Sequence, residues 1–178
     1  MSIRFDPGAP VGKALIAFWK QLQDDNGARA ELRRCKEVSD VMMIPIYHHF
    51  CQKIKDQMVD EKGWESRVAA IVGLMAHLKR EVPSLVLEPS KGNEKSYAAL
   101  FVIPMAEGDR PRVSELRFRR LLQRDMADLY PAMIRMLHMM DGNANLYGLA
   151  ESIYYWGDRV KKDWAFSYFP RVPEKKSA

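Results

Sequence analysis

The sequence has little cysteine and no long apolar run. Cys35 and Cys51 are its only cysteines among 178 residues, too few for a disulfide framework. No apolar stretch approaches the roughly 20 residues of a membrane-spanning helix, and the segment from Met1 to Arg4 lacks the apolar core of a signal peptide. These absences exclude a disulfide-rich domain and an integral membrane protein, so we expect a cytoplasmic protein with no membrane partner.

The motifs of the common enzyme classes are also missing. The chain contains no glycine-rich phosphate loop, no dinucleotide fingerprint and no nucleophile elbow. The only grouping that resembles a metal site is His48 and His49 with Cys35 and Cys51, and neighbouring histidines on a helix point about 100° apart. We therefore expect no catalytic activity, no metal and no cofactor. A metal-dependent enzyme that uses the two histidines is the alternative, which metal analysis of the purified protein would test.

What the chain does have is basic charge. Its 28 Lys and Arg residues against 23 Asp and Glu give a net charge of +5, and most of the excess falls in residues 91–178. A moderate positive excess favours an anionic partner. The hydrophobic content of 47% is at the same time enough to bury a core.

Apolar residues recur at three- and four-residue spacing along most of the chain, and this pattern predicts helices. The helix that follows Gly63 is expected to run as far as Pro83. The apolar series from Leu149 to Trp164 predicts one long buried helix that bends at Gly157.

No alternating strand pattern and no internal repeat is present. We therefore predict an all-α protein of two small helical-bundle subdomains, residues 1–90 and 91–178. The boundary follows the polar, turn-prone segment 89–95 and the change in charge between the halves. Residues 97–105 form an apolar run that fits a helix or a strand, and its position among helices favours a helix.

The segment from Ser114 to Arg124 carries the strongest functional signal. As a helix capped by Ser114, it has Phe118 and other apolar residues on one side, with Arg117, Arg120 and Arg124 opposite. A solvated helix also has charges opposite its apolar face, but it would mix glutamates with the arginines. The single sign of charge favours phosphate, whose oxygens match the fork of a guanidinium group.

Other predicted helices carry basic residues as well. Arg33 and Arg34 lie in the helix that begins near Ala28. Arg67 lies in the first turn of a helix, where the dipole does not favour a cation, so it faces solvent or contacts a phosphate. The candidate nucleic-acid-binding residues are Arg33, Arg34, Arg67, Arg117, Arg120, Arg124, Arg135, Arg159, Lys161 and Lys162.

Six groups of residues, in order along the chain, resemble the CasB family, the small subunit of the type I-E CRISPR surveillance complex called Cascade. These groups are Trp19-x-x-Leu22, the stretch from Gly27 to Arg34, Ile44-Pro45, Gly63-Trp64-Glu65 with Arg67, the stretch from Val113 to Leu122 followed by Arg135, and Tyr155 to Arg159. No single group is diagnostic, but six in register are hard to obtain by chance. Around residues 96–100 a glycine and a basic residue common in the family are missing, so no contact is assigned there.

The resemblance implies an all-helical protein of two subdomains without catalytic activity. Its partners would be the other Cascade subunits, including the backbone and large subunits, a second copy of itself, the guide RNA and the target DNA. Its basic residues would stabilise the R-loop by contacting the target strand and holding the displaced non-target strand. The positions that match the family's basic contacts are Arg34, Arg67, Arg117, Arg135 and Arg159, and Lys91 and Lys95 match loosely.

Aromatic residues near such a groove would stack on exposed bases, and Tyr154 or Tyr155 are the candidates. The alternative function, from a different class, is a helical adaptor. It would bind another protein through apolar, methionine-rich faces and leave the arginines in solvent.

Overall fold

The computed structural model describes residues 3–81 and 110–172 and confirms the all-α prediction. The helices in these ranges are α1 (Pro10–Asp24), α2 (Asn26–Arg34), α3 (Val38–Val41), α4 (Pro45–Ile54), α5 (Trp64–Met75), α6 (Glu115–Leu122), α7 (Met126–Met139), α8 (Leu146–Tyr154) and α9 (Asp158–Tyr168). Short 3₁₀ segments, Lys55–Gln57 and Phe169–Arg171, follow α4 and α9. Within the same ranges, every helix is too short or too polar to cross a bilayer.

One small parallel strand pair was not predicted. Strand β1 (Arg80–Glu81) pairs with β2 (Asn143–Ala144), with Arg80 opposite Asn143. Two residues are too few to produce an alternating pattern, so this pairing has no sequence signal. It joins the chain after α5 to the chain after α7.

Helix α5 is the centre of the fold. All its residues from Val68 to Met75 are buried, so the helix is apolar on every side. It packs against α3, α4 and α8, and also against α2 and α7. The buried residues around it form one cluster, which includes Leu15 near the N-terminus and Trp164 in α9.

The predicted division into residues 1–90 and 91–178 stays a prediction. The boundary itself, the segment 89–95 and the apolar run 97–105 lie outside the described residues. Described residues from both sides of the boundary contribute to the same core cluster, and α5 packs against α8 across it.

Helix starts follow the predicted signals more closely than helix ends. Helix α4 begins at Pro45, and α5 follows Gly63, whose φ of 68° lies in the left-handed region. Helix α5 ends at Met75, however, and not at Pro83 as predicted. Side chains from α2 bind the carbonyl groups that follow this helix end, as described below.

The predicted long helix from Leu149 to Trp164 is in fact two helices. Helix α8 ends at Tyr154, and α9 begins at Asp158. Gly157 between them is extended, with φ of 174°, so the helix is broken rather than bent. Three successive aromatic residues, Tyr154 to Trp156, lie at this break.

Candidate nucleic-acid interface

Three successive aromatic residues connect α8 to α9. Tyr154 is the last residue of α8, Tyr155 is its C-cap, and Trp156 precedes Gly157. The rings of Tyr154 and Tyr155 meet edge-on, with their centroids 4.9 Å apart. We call Tyr154, Tyr155 and Trp156 the aromatic junction. Each of its three rings lies against a cation that the sequence analysis had selected.

Arg67 and Arg159 meet at the two tyrosines. Cζ of Arg67, in the first turn of α5, lies 5.3 Å from the centroid of the Tyr154 ring. Cζ of Arg159, in the first turn of α9, lies 5.9 Å from the centroid of the Tyr155 ring. Among residues 3–81 and 110–172, no carboxylate forms an ion pair with either arginine. The tyrosine rings orient the two guanidinium groups through cation–π contacts, and the positive charges stay available to an anion.

Hydrogen bonds fix the two tyrosines. The Tyr155 hydroxyl donates to the carbonyl oxygen of Ile3 at 2.9 Å, and the Tyr154 hydroxyl donates to the carboxylate of Glu61 at 3.4 Å. Burial, together with the charge of Glu61, raises the pKa of Tyr154 to about 12, so its hydroxyl is neutral at physiological pH. Tyr154 is only 1% exposed and therefore cannot stack on a base, which corrects the sequence-based suggestion. Tyr155 is half-buried.

Trp156 joins the aromatic junction to α6. Its indole Nε1 donates to the backbone carbonyl of Arg124, just after α6, at 3.0 Å. Nζ of Lys161 lies 5.7 Å from the centroid of the same ring, and Trp164 packs edge-on against it at 5.0 Å. The end of α6 therefore lies at the aromatic junction, against which Arg67, Arg159 and Lys161 also pack.

An aromatic stack docks α6 onto α9. The Phe118 ring lies parallel to the Tyr168 ring, with centroids 3.8 Å apart and an interplanar angle of 15°. The Tyr168 hydroxyl donates to the carbonyl oxygen of Val113 at 2.6 Å. Ser114 is the N-cap residue of α6, as predicted, but its side chain makes no capping hydrogen bond. Aromatic packing rather than the cap holds this helix in place.

The arginines within α6 and just after it differ in their surroundings. Arg117 and Arg120 are exposed, and no carboxylate in the described part of the chain pairs with them. Arg119 forms an ion pair at 3.6 Å with the glutamate one turn earlier. Arg124 lies 3.9 Å from Asp128, at the limit of an ion pair. Arg117 and Arg120 are thus the cations of this helix that are available to phosphate.

Three other residues predicted to bind nucleic acid are exposed but do not contact the aromatic junction. Arg34 ends α2, Arg135 lies within α7, and Lys162 lies in α9. No ion pair or ring contact between described residues links them to the aromatic junction. Their part in binding stays a prediction. Lys91 and Lys95 lie outside the described residues.

Arg33 has a structural contact that the sequence did not reveal. Its Nε donates to the carbonyl oxygen of Ala76 at 2.9 Å. Arg29, one turn earlier, donates to the same oxygen at 3.1 Å and to the carbonyl oxygen of Leu78 at 2.8 Å. Carbonyl groups at the end of a helix are unpaired and carry partial negative charge, so these arginines stabilise the end of α5. Arg29 and Arg33 lie four residues apart on one face of α2, and this local spacing could not indicate partners beyond another helix.

A buried histidine lies beside this helix end. His77 is 5% exposed, and its Nδ1 lies 3.2 Å from Nε2 of His138 on α7. Its Nε2 is buried without a hydrogen-bond partner among the described residues. Burial, then His138, Arg33 and Arg29, lower the pKa of His77 to about 4. His77 is therefore neutral at physiological pH.

The depressed pKa of His77 predicts a loss of stability in acid. The unfolded imidazole binds its proton near pH 6.5 and the folded one near pH 4, so the unfolded state binds more protons between these values. The free energy of unfolding should then fall by roughly 3 kcal/mol as the pH falls through this window. Urea denaturation at pH 7.5 and 4.5 measures the fall, which should be smaller in His77→Gln. His49→Gln, a change at an exposed histidine on α4, should keep the full dependence. An equal fall in His77→Gln and the unaltered protein would contradict this assignment.

His48 and His49, the histidines of the alternative metal site, belong to no metal-binding cluster among the described residues. Nε2 of His48 lies 2.8 Å from the carbonyl oxygen of Met42. Among the described residues, no group of three or more His, Cys, Asp or Glu side chains is placed to hold a metal ion. Cys35 and Cys51 are both buried as free thiols.

A chain in the crystal structure of E. coli Cascade, bound to a PAM-containing double-stranded DNA target, has a similar fold, with a TM-score of 0.62. The two chains share 17% sequence identity, and the match covers 88% of this chain and 97% of that one. A comparison with curated protein sequences finds no significant match. The likeness defines the class of the fold, a helical protein of the type found in that structure.

The family model described as CRISPR-associated protein Cse2 matches residues 28–169. Because the match spans most of its length, this chain belongs to the CRISPR-associated Cse2 family. Cse2 and CasB are one family, so the resemblance drawn from the sequence motifs is confirmed.

Proposed function

We propose that this chain is a non-catalytic, nucleic-acid-binding subunit of a CRISPR Cascade complex that stabilises the R-loop in antiviral defence. Membership of the Cse2 family supports the role of a complex subunit. The observation that carries the nucleic-acid contact is the gathering of Arg67, Arg159 and Lys161 on the aromatic junction. Its partners would be the backbone and large subunits, a second copy of itself, the guide RNA and the target DNA.

R-loop formation needs only modest help from such a surface. The RNA–DNA duplex that forms is about as stable as the DNA duplex that it replaces, so a few backbone contacts can favour the open state. Contacts to phosphate are independent of sequence, which suits a complex whose guide supplies the sequence. Arginines already oriented by tyrosine rings lose less conformational freedom when they bind phosphate than free arginines would.

The arrangement suits a single strand in particular. The displaced strand offers phosphates along its length, and α6, which carries Arg117 and Arg120, is followed by Arg124, whose carbonyl binds Trp156 of the aromatic junction. A strand bound by both groups of cations would contact α5, α9 and α6. Tyr155 is half-buried whereas Tyr154 is 1% exposed, so Tyr155 is the tyrosine of the junction that we propose as a stacking surface.

Replacing Arg117 with alanine should weaken binding to an R-loop by about tenfold, because one charge-assisted contact is worth about 1.5 kcal/mol. Arg119→Ala is the matched control, since Arg119 lies on the same helix and its charge is paired at 3.6 Å. Both variants should unfold at the same temperature as the unaltered protein. A gel shift across a salt series measures the affinity, and equal affinities for the two variants would count against the proposal.

The partner proposal has its own test. The chain, purified with a tag from its native host, should bring with it the other complex subunits and a guide RNA. The expected length of that RNA is about 60 nucleotides, from a heteroduplex of roughly 20 to 30 base pairs with its flanks. Recovery of the chain alone, with no RNA, would contradict this part of the proposal.

A helical adaptor without nucleic-acid contact is the second candidate. The exposed apolar side chains favour it, since Phe166 on α9 is 76% exposed and Leu116 on α6 is 59% exposed. An adaptor would give no gel shift with single-stranded DNA even at low salt, and it would still form a stable complex with another protein. A salt-sensitive gel shift would decide for the nucleic-acid-binding subunit.

A further inference from the structure

A pocket of about 440 Å³ opens at the C-terminal end of α5. It lies at the opposite end of that helix from Arg67 and the aromatic junction, so it is a separate place on the molecule. Its lining residues are Arg33, His77, Lys79, His138, Asp141 and Gly142.

The charges around this pocket are mainly positive. Arg33 and Lys79 are exposed, and Arg33 uses only one of its five N–H donors in its hydrogen bond to Ala76. The one carboxylate of the lining, that of Asp141, accepts a hydrogen bond from Arg112 at 3.1 Å. In the described part of the chain, no carboxylate pairs with Arg33 or Lys79. An anion that enters the pocket therefore meets two cations whose charge is not neutralised.

The backbone keeps Lys79 at the pocket. Its amide donates to the carbonyl oxygen of Gly142 at 2.8 Å, and its side chain passes close over that glycine. A Cβ atom on Gly142 would lie 2.8 Å from Cγ of Lys79 and 2.8 Å from the carbonyl oxygen of His77. The φ of Gly142 is 71°, so only glycine fits this turn without strain.

The histidine pair supplies a further donor. His138 is exposed, and its Nε2 is engaged by Nδ1 of His77. The hydrogen between the two rings can belong to either one. The proposed site uses the form in which His77 donates from Nδ1 and His138 keeps a proton on its own Nδ1, where it is a donor. Guanidinium, ammonium and imidazole donors together match the oxygens of a phosphate group.

We propose that Arg33, Lys79 and His138 form a binding site for a phosphate group. If the phosphate belongs to a nucleic-acid strand, the inference rests on the proposed function, but it uses none of the residues of the aromatic junction and can fail independently of them. The phosphate is either part of a nucleic-acid strand or a free inorganic ion, and the chemistry of the site is the same for both. The ammonium of Lys79 and the N–H groups of Arg33 and His138 donate to its oxygens.

The test follows the histidine resonances by NMR during titrations of the full chain. One arm adds inorganic phosphate against sodium chloride at the same ionic strength, and the other adds a single-stranded DNA oligonucleotide. We expect saturable movement of the His138 resonances with phosphate and not with chloride, with a dissociation constant at least fivefold weaker in Lys79→Gln. Lys55→Gln, an exposed lysine elsewhere, should leave the constant unchanged.

The outcomes separate the sources and the proposals. Movement of His138 in the DNA arm, lost in Lys79→Gln, supports the site and identifies a nucleic-acid phosphate. Movement with inorganic phosphate alone supports the site and identifies free phosphate. No movement of His138 in either arm overturns the site. Binding of the same oligonucleotide that depends on Arg67 and Arg159 would leave the proposed function intact in that case.

Discussion

Replacing Arg67 and Arg159 together with alanine is expected to lower the affinity for an R-loop about 100-fold. The two guanidinium groups lie on adjacent tyrosine rings, and no described carboxylate forms an ion pair with either of them. Each substitution removes a charge-assisted contact with phosphate that is worth about 1.5 kcal/mol, or about tenfold in affinity. The two losses add in free energy and therefore multiply in the binding constant. The measurement is a gel shift or fluorescence anisotropy titration of an R-loop substrate at fixed salt.

The matched control is Arg4→Ala with Arg119→Ala. It removes the same charge from two exposed arginines whose carboxylate partners lie at 2.9 Å and 3.6 Å. The control should change the affinity by less than about threefold, because long-range attraction between exposed charges is screened by salt. Equal losses in the two double variants would mean that net charge, and not the aromatic junction, sets the affinity. Conservative Arg67→Lys with Arg159→Lys should fall between them, since lysine keeps the charge but not the fork.

Phe118→Ala is expected to cost about 3–5 kcal/mol in the free energy of unfolding, the usual cost of removing a buried aromatic ring. Phe118 is fully buried and stacks on Tyr168, and this stack fixes α6 to α9. Since α6 also carries Arg117 and Arg120, a loosened helix should weaken DNA binding as well. Urea denaturation gives the first quantity and a gel shift gives the second.

Leu116→Ala is the control for this helix. Leu116 is 59% exposed on the same turn, so its loss should change the free energy of unfolding by less than about 0.5 kcal/mol. Tyr168→Phe should cost about 1 kcal/mol, because it removes only the hydrogen bond to Val113. If Phe118→Ala proved as mild as Leu116→Ala, the aromatic stack could not be what docks α6.

The fold class could be predicted from the sequence because helix signals are local. Helix α5 follows Gly63 as predicted, Pro45 is the first residue of α4, and Asp125 caps α7 through its side chain. Helix ends depended on distant residues instead. Helix α5 stops before Pro83 where Arg29 and Arg33 bind the carbonyl groups beyond its last turn, and no local pattern contains that contact.

The candidate site, too, was predicted where its signals are local and missed where they depend on distant residues. Charge and the family resemblance selected Arg67, Arg159 and Lys161 one by one, but their common support on the aromatic junction needed the break between α8 and α9. That break was predicted only as a bend, because the apolar series continues across Gly157. The His77–His138 pair escaped the sequence analysis, since His77 lies in the turn after α5, His138 lies on α7, and the two share no motif.

Helix α5 relates the two basic regions to each other. Arg67 lies at its N-terminal end on the aromatic junction, and the phosphate pocket lies at its C-terminal end. Arg67 is the fourth residue of α5, so a rise of roughly 12 Å separates it from the last residue of the helix, Met75. One buried helix thus sets the spacing between the two proposed contacts.

Photocrosslinking tests the contact with nucleic acid most directly. The complex, assembled with its guide RNA on a target whose displaced strand carries 5-iodouracil, would be irradiated and the crosslinked peptides mapped by mass spectrometry. We predict crosslinks in the peptide that contains Tyr155 and Trp156, and a loss of these crosslinks in Arg67→Ala with Arg159→Ala. Crosslinks confined to other subunits, or to peptides of this chain away from the aromatic junction and α6, would contradict the account.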